Sequence, residues 1–320
     1  MGALARLAGF AVGLAAVFVV SLAVGSQWGP TVAAPEAHDE DTGHGGSGQE
    51  AEPASGHLPG GLMRSQDGYS LALTDPSATA GRNVPVSFTI SGPDGSPVTA
   101  YDVEHGKRLH LIAVRRDLTG FQHVHPALDP ATGRWSSPLD LTPGTWRVFA
   151  DFTATGGPAL TLGTDLTVPG DVAAVEPVPT DRRTDDVDGY TVDLAGDLVG
   201  GTAADLTLTV SRDGRPVSDL QPYLGAYGHL VALRDGDLAY LHVHPHESAD
   251  ASSSGGPAID FTAEVPSEGR YRLFLDFRHD GRVRTASFDL TAAQPSDAET
   301  VEGSDGHSDE GTADHTTSTP

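Results

Sequence analysis

Hydrophobic residues occupy alternate positions in short runs over most of the chain between residues 67 and 292. Runs such as "VPVSFTI" from Val84 and "ADLTLTV" from Ala204 end at turn-forming Gly, Pro, Asp or Ser residues. A period of two is typical of β-strands that bury one face. No run shows the 3.6-residue period of a long amphipathic helix. The pattern therefore predicts an all-β protein.

The same succession of strands is written twice. "HLIAVRRDLTGFQHVHP" from His110 is answered by "HLVALRDGDLAYLHVHP" from His229. "GTWRVFADF" from Gly144 is answered by "GRYRLFLDF" from Gly269. The histidine spacing is identical in the two copies, so no gap separates them across this block. An internal duplication is predicted.

Each copy has about seven or eight short strands in roughly 100 residues, which predicts two tandem immunoglobulin-like β-sandwich domains. The flanking segments are acidic and rich in Gly, Ser and Pro, and such segments bury too little apolar surface to offset their ordering entropy. The predicted divisions are a membrane segment over 1–25, a disordered acidic stalk over 26–66, a first β-sandwich over 67–168, a proline-rich linker over 169–188, a second β-sandwich over 189–292 and a disordered acidic tail over 293–320.

The N-terminus carries an uncharged apolar run of 18 residues, Leu7 to Val24, directly after Arg6. A membrane-spanning helix needs about 20 apolar residues, whereas the apolar part of a signal peptide has about 7 to 15. Arg6 on the short side favours a cytoplasmic N-terminus. We predict a single-pass anchor in the cell membrane with the bulk of the chain extracytoplasmic. The alternative is secretion after cleavage at "AVG" before Ser26.

Composition and motifs exclude several classes of function. The net charge is −25, from 19 basic and 44 acidic residues, which argues against nucleic acid as a partner. The chain has no cysteine and two methionines, so disulfides, thiolate sites and soft methionine-rich copper(I) sites are excluded. Motifs of hydrolases, nucleotide-binding enzymes and zinc proteases are missing from the sequence. A binding protein is predicted rather than an enzyme.

The motif His-Val-His-Pro, present in both copies, supplies the candidate chemistry. Residues i and i+2 of a strand share a face, so His123 and His125 point the same way. An even-numbered hairpin loop places His110 directly across from one of them, with Cβ atoms about 4.5–5.5 Å apart. The candidate metal ligands are three histidines and a matching aspartate in each copy: His110, His123, His125 and Asp151 in the first, and His229, His242, His244 and Asp276 in the second.

Three converging imidazoles are a common way to hold Zn(II) or Cu(II). The aspartates would act either as a fourth ligand or as acceptors that orient an imidazole. We therefore predict a divalent transition metal, copper or zinc, at one site in each copy. Glu104, His105 and His246 rank below these residues because they have no counterpart in the other copy.

A metal-free interpretation stays open. Both faces of the hairpins are apolar, and a histidine inside such a sheet also serves as a buried hydrogen-bonding residue. His-Val-His-Pro would then be a signature of the fold, copied with it. The chain would be a structural or adhesive module, or would bind a protein partner in an envelope complex. Imidazole nitrogens within reach of one ion would favour metal binding.

The stretch "SDLQPYLGAYGHLVALRDGDLAYLHVHP", Ser218 to Pro245, resembles a block found in uncharacterised exported or membrane-anchored proteins, largely actinobacterial, that are associated with heavy-metal handling. The resemblance implies an extracytoplasmic location and a role in handling copper or another metal, and it implies no catalytic residue. The first copy departs from the block, since Glu104 and His105 stand at the offsets of Tyr223 and Leu224.

Overall fold

The structure, a computed structural model, describes residues 59–174, 181–250 and 252–295. The predicted membrane segment, the stalk up to residue 58 and the tail from residue 296 lie outside the described residues, so the anchor and the disorder stay predictions. Among the residues described, no helix is long and apolar enough to cross a membrane.

The first repeat, residues 59–174, is built of β-strands. Its strands are β1 (Ser65–Gln66), β2 (Tyr69–Leu73), β3 (Gly81–Ser91), β4 (His110–Arg115), β5 (Gln122–Val124), β6 (Ala127–Asp129), β7 (Arg134–Leu141), β8 (Gly144–Thr153) and β9 (Ala159–Val168). Strand β1 falls in the segment that the sequence assigns to the stalk. Its backbone pairs with β2, which extends the sheet.

The second repeat, described over 181–250 and 252–295, follows the same plan. Its strands are β10 (Thr184–Val187), β11 (Tyr190–Ala195), β12 (Thr202–Arg212), β13 (Arg215–Pro216), β14 (Gly228–Arg234), β15 (Tyr240–Leu241), β16 (Val243–Pro245), β17 (Ala258–Val265), β18 (Gly269–His279) and β19 (Arg282–Ala292). Strand β10 lies in the segment predicted as linker. The sequence there is polar and lacks alternation, and its pairing with β11 supplies the order.

Each repeat is a sandwich of two antiparallel sheets. The first repeat has the sheet orders β1-β2-β3-β7-β6 and β5-β4-β8-β9. The second has β10-β11-β12-β17-β16 and β15-β14-β18-β19, with β13 pairing to β12. The two orders match the immunoglobulin arrangement, in which strands A, B, E and D form one sheet and C, F and G the other. The chain therefore consists of tandem immunoglobulin-like sandwiches, as the sequence predicts.

Each sandwich encloses its own hydrophobic core. Trp135 and Trp146 are fully buried in the first, and Tyr271 and Phe288 in the second. Alternate residues of every long strand face this core, which accounts for the period of two in the sequence. The opposite faces are polar on most strands but not on β4, whose six residues are all buried.

The repeats pack on each other through the sheets β5-β4-β8-β9 and β15-β14-β18-β19, here called the interface sheets. Their outward faces form a further apolar cluster, which combines Ile112, Val114, Leu118 and Phe149 with Val231, Leu233, Leu238 and Phe274. The ring of Phe121 stacks on that of Phe274 with centroids 4.0 Å apart. Strand β4 is buried on both faces because a second sandwich covers it.

Candidate metal centre between the two repeats

His110 is the first residue of β4 and His229 is the second residue of β14, and both strands lie inside the interface sheets. In the strand registers, His110 pairs with Asp151 and His229 pairs with Asp276. Packing the interface sheets together brings the two histidines into contact across the repeats. Their rings are nearly parallel, at 8°, with centroids 5.4 Å apart.

His123, on the short strand β5, packs against both rings. Its Nε2 is 3.0 Å from His110 Nδ1, and its ring centroid is 4.6 Å from that of His229. The His123 side chain is only 1% exposed. The ring of His125 packs against both first-repeat histidines, at 5.0 Å from each. We call His110, His123, His125 and His229 the inner histidine cluster.

One ligand atom from each of His110, His123 and His229 lies within 4.8 Å of the other two. Imidazole nitrogens that bind one tetrahedral ion at roughly 2.0–2.1 Å are about 3.3 Å from each other. The nitrogen pair His110 Nδ1 and His123 Nε2, at 3.0 Å, is close to that spacing. Small side-chain rotations would bring the third nitrogen into range, so the donor set fits Zn(II) or Cu(II).

Asp276 of the second repeat orients His123 of the first. Its Oδ2 accepts a hydrogen bond from His123 Nδ1 at 2.8 Å, and its Oδ1 accepts one from Thr285 Oγ1 at 2.5 Å. With the proton held on Nδ1, the Nε2 lone pair of His123 faces His110. This chain of carboxylate, imidazole and open lone pair is the arrangement that supports metal-ligating histidines in proteins.

The imidazoles of His110 and His123 make three polar contacts but, when neutral, have only two N–H groups to donate. A neutral imidazole carries one N–H. His123 donates its own to Asp276, and His110 Nε2 lies 3.3 Å from the backbone oxygen of Glu104, which can only accept. When both bonds form, the lone pairs of His110 Nδ1 and His123 Nε2 face each other at 3.0 Å. A cation between them removes this repulsion.

Two other nitrogens of the cluster lack hydrogen-bond partners. His125 Nε2 and His229 Nδ1 are buried, and within the described part of the chain neither has a partner. A buried polar group without a partner costs about 1–3 kcal/mol. Both nitrogens belong to residues that the sequence selects as ligands, so the unsatisfied positions coincide with the candidate site.

The environment keeps these imidazoles neutral. Burial, followed by the neighbouring His123, lowers the pKa of His110 to about 3. The same two causes lower the pKa of His125 to about 4. Burial also holds the pKa of His229 well below 6.5, with His123 and His110 adding to it. Neutral imidazole is the form that binds metal, so His110, His125 and His229 are ready to bind a cation near pH 7.

The lowered pKa values predict a loss of stability in acid. In the unfolded chain His110 titrates near 6.5, and in the folded chain its pKa is about 3. The unfolded state therefore binds more protons between these values, and the free energy of unfolding falls as pH falls through this window. For His110 alone we expect a loss of about 2 kcal/mol between pH 7 and pH 5 in metal-free protein.

Urea unfolding at the two pH values measures this loss, and His110→Gln is the comparison because it removes the titrating ring. The variant should lose less stability than the parent between pH 7 and pH 5. Equal losses in the two proteins would show that His110 is not buried in its neutral form.

The structure places His242 and His244 outside the inner cluster. In the first repeat the chain stays in the interface sheet as far as Val124, at the centre of the motif. In the second repeat it leaves earlier, and β16 pairs with β17 of the other sheet. His242 and His244 are therefore exposed, with ring centroids 4.4 Å apart. The structure brings together histidines of both repeats across the interface, whereas the sequence predicts a separate group of histidines within each repeat.

The matching aspartates also differ. Asp151 accepts a hydrogen bond from Thr161 Oγ1 at 2.7 Å, just as Asp276 accepts one from Thr285. Burial raises the pKa of Asp151, while Thr161 and then His242 act in the opposite direction. Only the second-repeat aspartate of this pair has a histidine hydrogen bond among the described residues, so the site is asymmetric.

His105, which the sequence ranks below the other histidines, lies beside the inner cluster. Its ring centroid is 6.1 Å from that of His110 and 6.0 Å from that of His229. It sits in a tight turn with φ 48°, and Leu224 holds the same turn in the second repeat with φ 56°. The signal in the sequence that could have found this residue is the difference between the copies: the first repeat has a histidine at the turn position where the second repeat has Leu224.

The comparisons with known proteins identify the family. The family model described as "Domain of unknown function (DUF8832)" matches residues 64–170 and 185–294. The chain belongs to this family. The two DUF8832 matches cover the two sandwiches, and no curated protein matches the sequence.

Several solved structures are similar at low identity. The Escherichia coli adhesin FdeC is 15% identical over 72% of this chain and 65% of its own, with a TM-score of 0.24. Invasin, a bacterial integrin-binding protein, is 13% identical over 71% and 40%, with a TM-score of 0.21. A putative membrane anchored protein from Corynebacterium diphtheriae is 11% identical over 72% and 60%, with a TM-score of 0.21. The chain spans less than two thirds of the length of each of these structures.

Proposed function

We propose that the chain binds a divalent transition metal, Cu(II) or Zn(II), through His110, His123 and His229. The observation that carries the proposal is the 3.0 Å contact between His110 Nδ1 and His123 Nε2, whose lone pairs face each other when His123 donates to Asp276 and His110 donates to Glu104. A divalent ion satisfies both lone pairs at once.

The chemistry of the donors supports these two metals. Imidazole is a borderline ligand that suits Zn(II) and Cu(II), whereas Mg(II) and Ca(II) prefer oxygen. The chain lacks cysteine, so thiolate cannot compete for the ion. When bound, the ion would be held by three neutral imidazoles, with Asp276 orienting one of them. The proposed role is buffering or delivery of the metal.

The location belongs to the same proposal. The apolar run Leu7 to Val24 supports a single-pass anchor in the cell membrane, with the repeats outside the cytoplasm. The acidic flanking segments carry five histidines that would collect metal weakly: His38, His44, His57, His307 and His315. The resemblance of Ser218 to Pro245 to exported metal-associated proteins supports the same setting.

Calorimetric titration of the purified full chain with Zn(II), and separately with Cu(II), tests the proposal. His110→Ala removes a ligand of the first repeat and His229→Ala a ligand of the second. Because both ligands serve one ion, each substitution alone should weaken the same tight binding event by about 100-fold or more. His246→Ala is the matched control, since His246 is exposed and hydrogen-bonds Thr262. It should leave that event unchanged.

The binding events that each variant loses distinguish one site shared by the two repeats from one site in each repeat. Two tight events in the parent, of which each variant removes a different one, would indicate one site in each repeat. Equal titrations of the parent and both variants would overturn the metal proposal. The histidines would then act as the polar part of a metal-free interface in an adhesive or envelope-complex module. The bond from His123 to Asp276, which joins the two repeats, favours that second function.

A further inference from the structure

A short segment at the start of the first repeat lies between the two repeats. This segment, residues 59–63, is here called the strap, and the sequence assigns it to the stalk. Strands β9 and β15 are edge strands of the two interface sheets. An edge strand presents unpaired backbone groups. The strap supplies hydrogen-bond partners to both edges, so one segment joins the two interface sheets.

The first repeat holds the strap through both backbone and side-chain bonds. Gly61 N donates to the oxygen of Thr161 at 2.7 Å. Gly163 N donates to the oxygen of Met63 at 2.9 Å. The guanidinium of Arg147, which is 8% exposed, donates from Nη2 to the backbone oxygen of Gly61 at 2.5 Å. Hydrogen bonds from a charged donor are among the stronger ones, so the strap is fixed on β9.

The second repeat meets the strap at Tyr240. Its amide donates to the backbone oxygen of Gly60 at 3.0 Å, and its ring lies 5.7 Å from that of Phe149. Gly61, with φ 74°, lies against both aromatic residues. A β-carbon at this position would be 2.5 Å from the Phe149 ring and 3.3 Å from Tyr240 Cβ. Glycine is therefore required here, and the strap is seated in the interface itself.

The strap contacts the neighbours of a candidate ligand in each repeat. Thr161, which accepts from Gly61, donates from Oγ1 to Asp151 at 2.7 Å, and Asp151 pairs in register with His110. Tyr240 pairs with β14, the strand that carries His229. His110 and His229 meet only when the interface sheets are packed. A segment that joins these sheets therefore acts on the inner cluster.

We propose that the strap regulates metal binding by the inner cluster. When seated, it holds the interface sheets together around the ion; when detached, it lets them separate and release the ion. This inference rests on the proposed function of the inner cluster. The coupling is reciprocal, so a seated strap raises the affinity for the ion by the factor by which the ion favours seating. Because the strap continues into the predicted stalk, a displacement there would reach the metal site through it.

Gly163→Ala is the variant that unseats the strap. Gly163 lies on β9 outside the left-handed region of φ, so alanine suits its own backbone. The added β-carbon would overlap the oxygen of Gly61 and lie 2.7 Å from Arg147 Nη2. Gly92→Ala is the matched control in the same repeat. Its β-carbon would make only ordinary contacts, the nearest at 3.6 Å.

Hydrogen exchange and Zn(II) titration of the full chain test the inference. The Tyr240 amide donates to Gly60, so its exchange rate reports on the seated strap. In Gly163→Ala we expect this rate to rise, and the affinity for Zn(II) to fall, each by about tenfold or more. Saturating Zn(II) should slow exchange of the same amide in the parent. Amides inside the sandwich cores should keep their rates, and Gly92→Ala should match the parent throughout.

The outcomes separate this inference from the proposed function. Faster exchange at Tyr240 with unchanged Zn(II) affinity would overturn the inference and leave the inner site intact. Unchanged exchange at Tyr240 in Gly163→Ala would overturn it as well. A parent that binds no Zn(II) would overturn the proposed function, and this inference with it. If exchange rises throughout the first core, Gly61→Ala repeats the test, since it places the clash on the strap and changes no residue of either sandwich core.

Discussion

Phe274→Ala is expected to release the two repeats from each other, at a cost of about 3–5 kcal/mol in the free energy of unfolding. Phe274 is 5% exposed and stacks on Phe121 at 4.0 Å across the interface. Truncation leaves a cavity among residues of both repeats. The substitution should also weaken metal binding, because His110 and His229 approach each other only when the interface sheets are packed.

Phe277→Ala is the matched control for this prediction. Phe277 lies on the same strand, β18, but it is buried in the core of the second sandwich. Its truncation should destabilise that sandwich by a comparable amount. Urea unfolding and metal titration of both variants provide the comparison. In Phe274→Ala each repeat should keep its own cooperative transition. A Phe274→Ala protein that unfolds in one transition and binds metal as the parent does would show that the interface does not assemble the site.

Asp276→Asn is expected to weaken binding of Zn(II) or Cu(II) by about 10–100-fold. The Asp276 carboxylate accepts from both Thr285 Oγ1 and His123 Nδ1. An asparagine that keeps the bond from Thr285 turns its NH₂ group toward His123. His123 must then carry its proton on Nε2 and accept at Nδ1. That proton points at His110 and occupies the lone pair needed by the metal.

Asp151→Asn is the corresponding change in the first repeat. Asp151 has the matching threonine bond, from Thr161, and a matching partner in register, His110. It has no histidine hydrogen bond among the described residues, so its substitution should change the affinity of the inner site by less than about threefold. Competition titration with a chromogenic chelator measures both variants. Equal losses in the two would mean that the aspartates act by their charge and not by fixing the tautomer of His123.

The interface explains why the histidines are grouped differently in the sequence and in the structure. The parity of a hairpin predicts which side chains share a face within one sheet, and that prediction holds for His110, His123 and His125. It is a local rule. It contains no information about a second sheet that packs on the same face, so it cannot bring His229 to His110.

The sequence by itself determined the all-β fold, the duplication and the residue types of the candidate site. Alternation with a period of two follows from the strand geometry, and it is present in long strands such as β3, β7, β12 and β17. Both faces of β4 are apolar in the sequence, which indicates that both are covered. The matching blocks around His110 and His229 show the duplication directly.

Only the tertiary structure decided which histidines meet. His242 occupies the same motif position as His123, yet the second repeat crosses to the other sheet earlier, where β16 pairs with β17, and His242 is exposed. His105 gains its neighbours from a turn whose partner in the second repeat carries a leucine. Such contacts depend on long-range packing and on where a chain crosses between sheets. Neither is encoded in the spacing of residues along a strand, because a strand's period fixes the face of a side chain but not what covers that face.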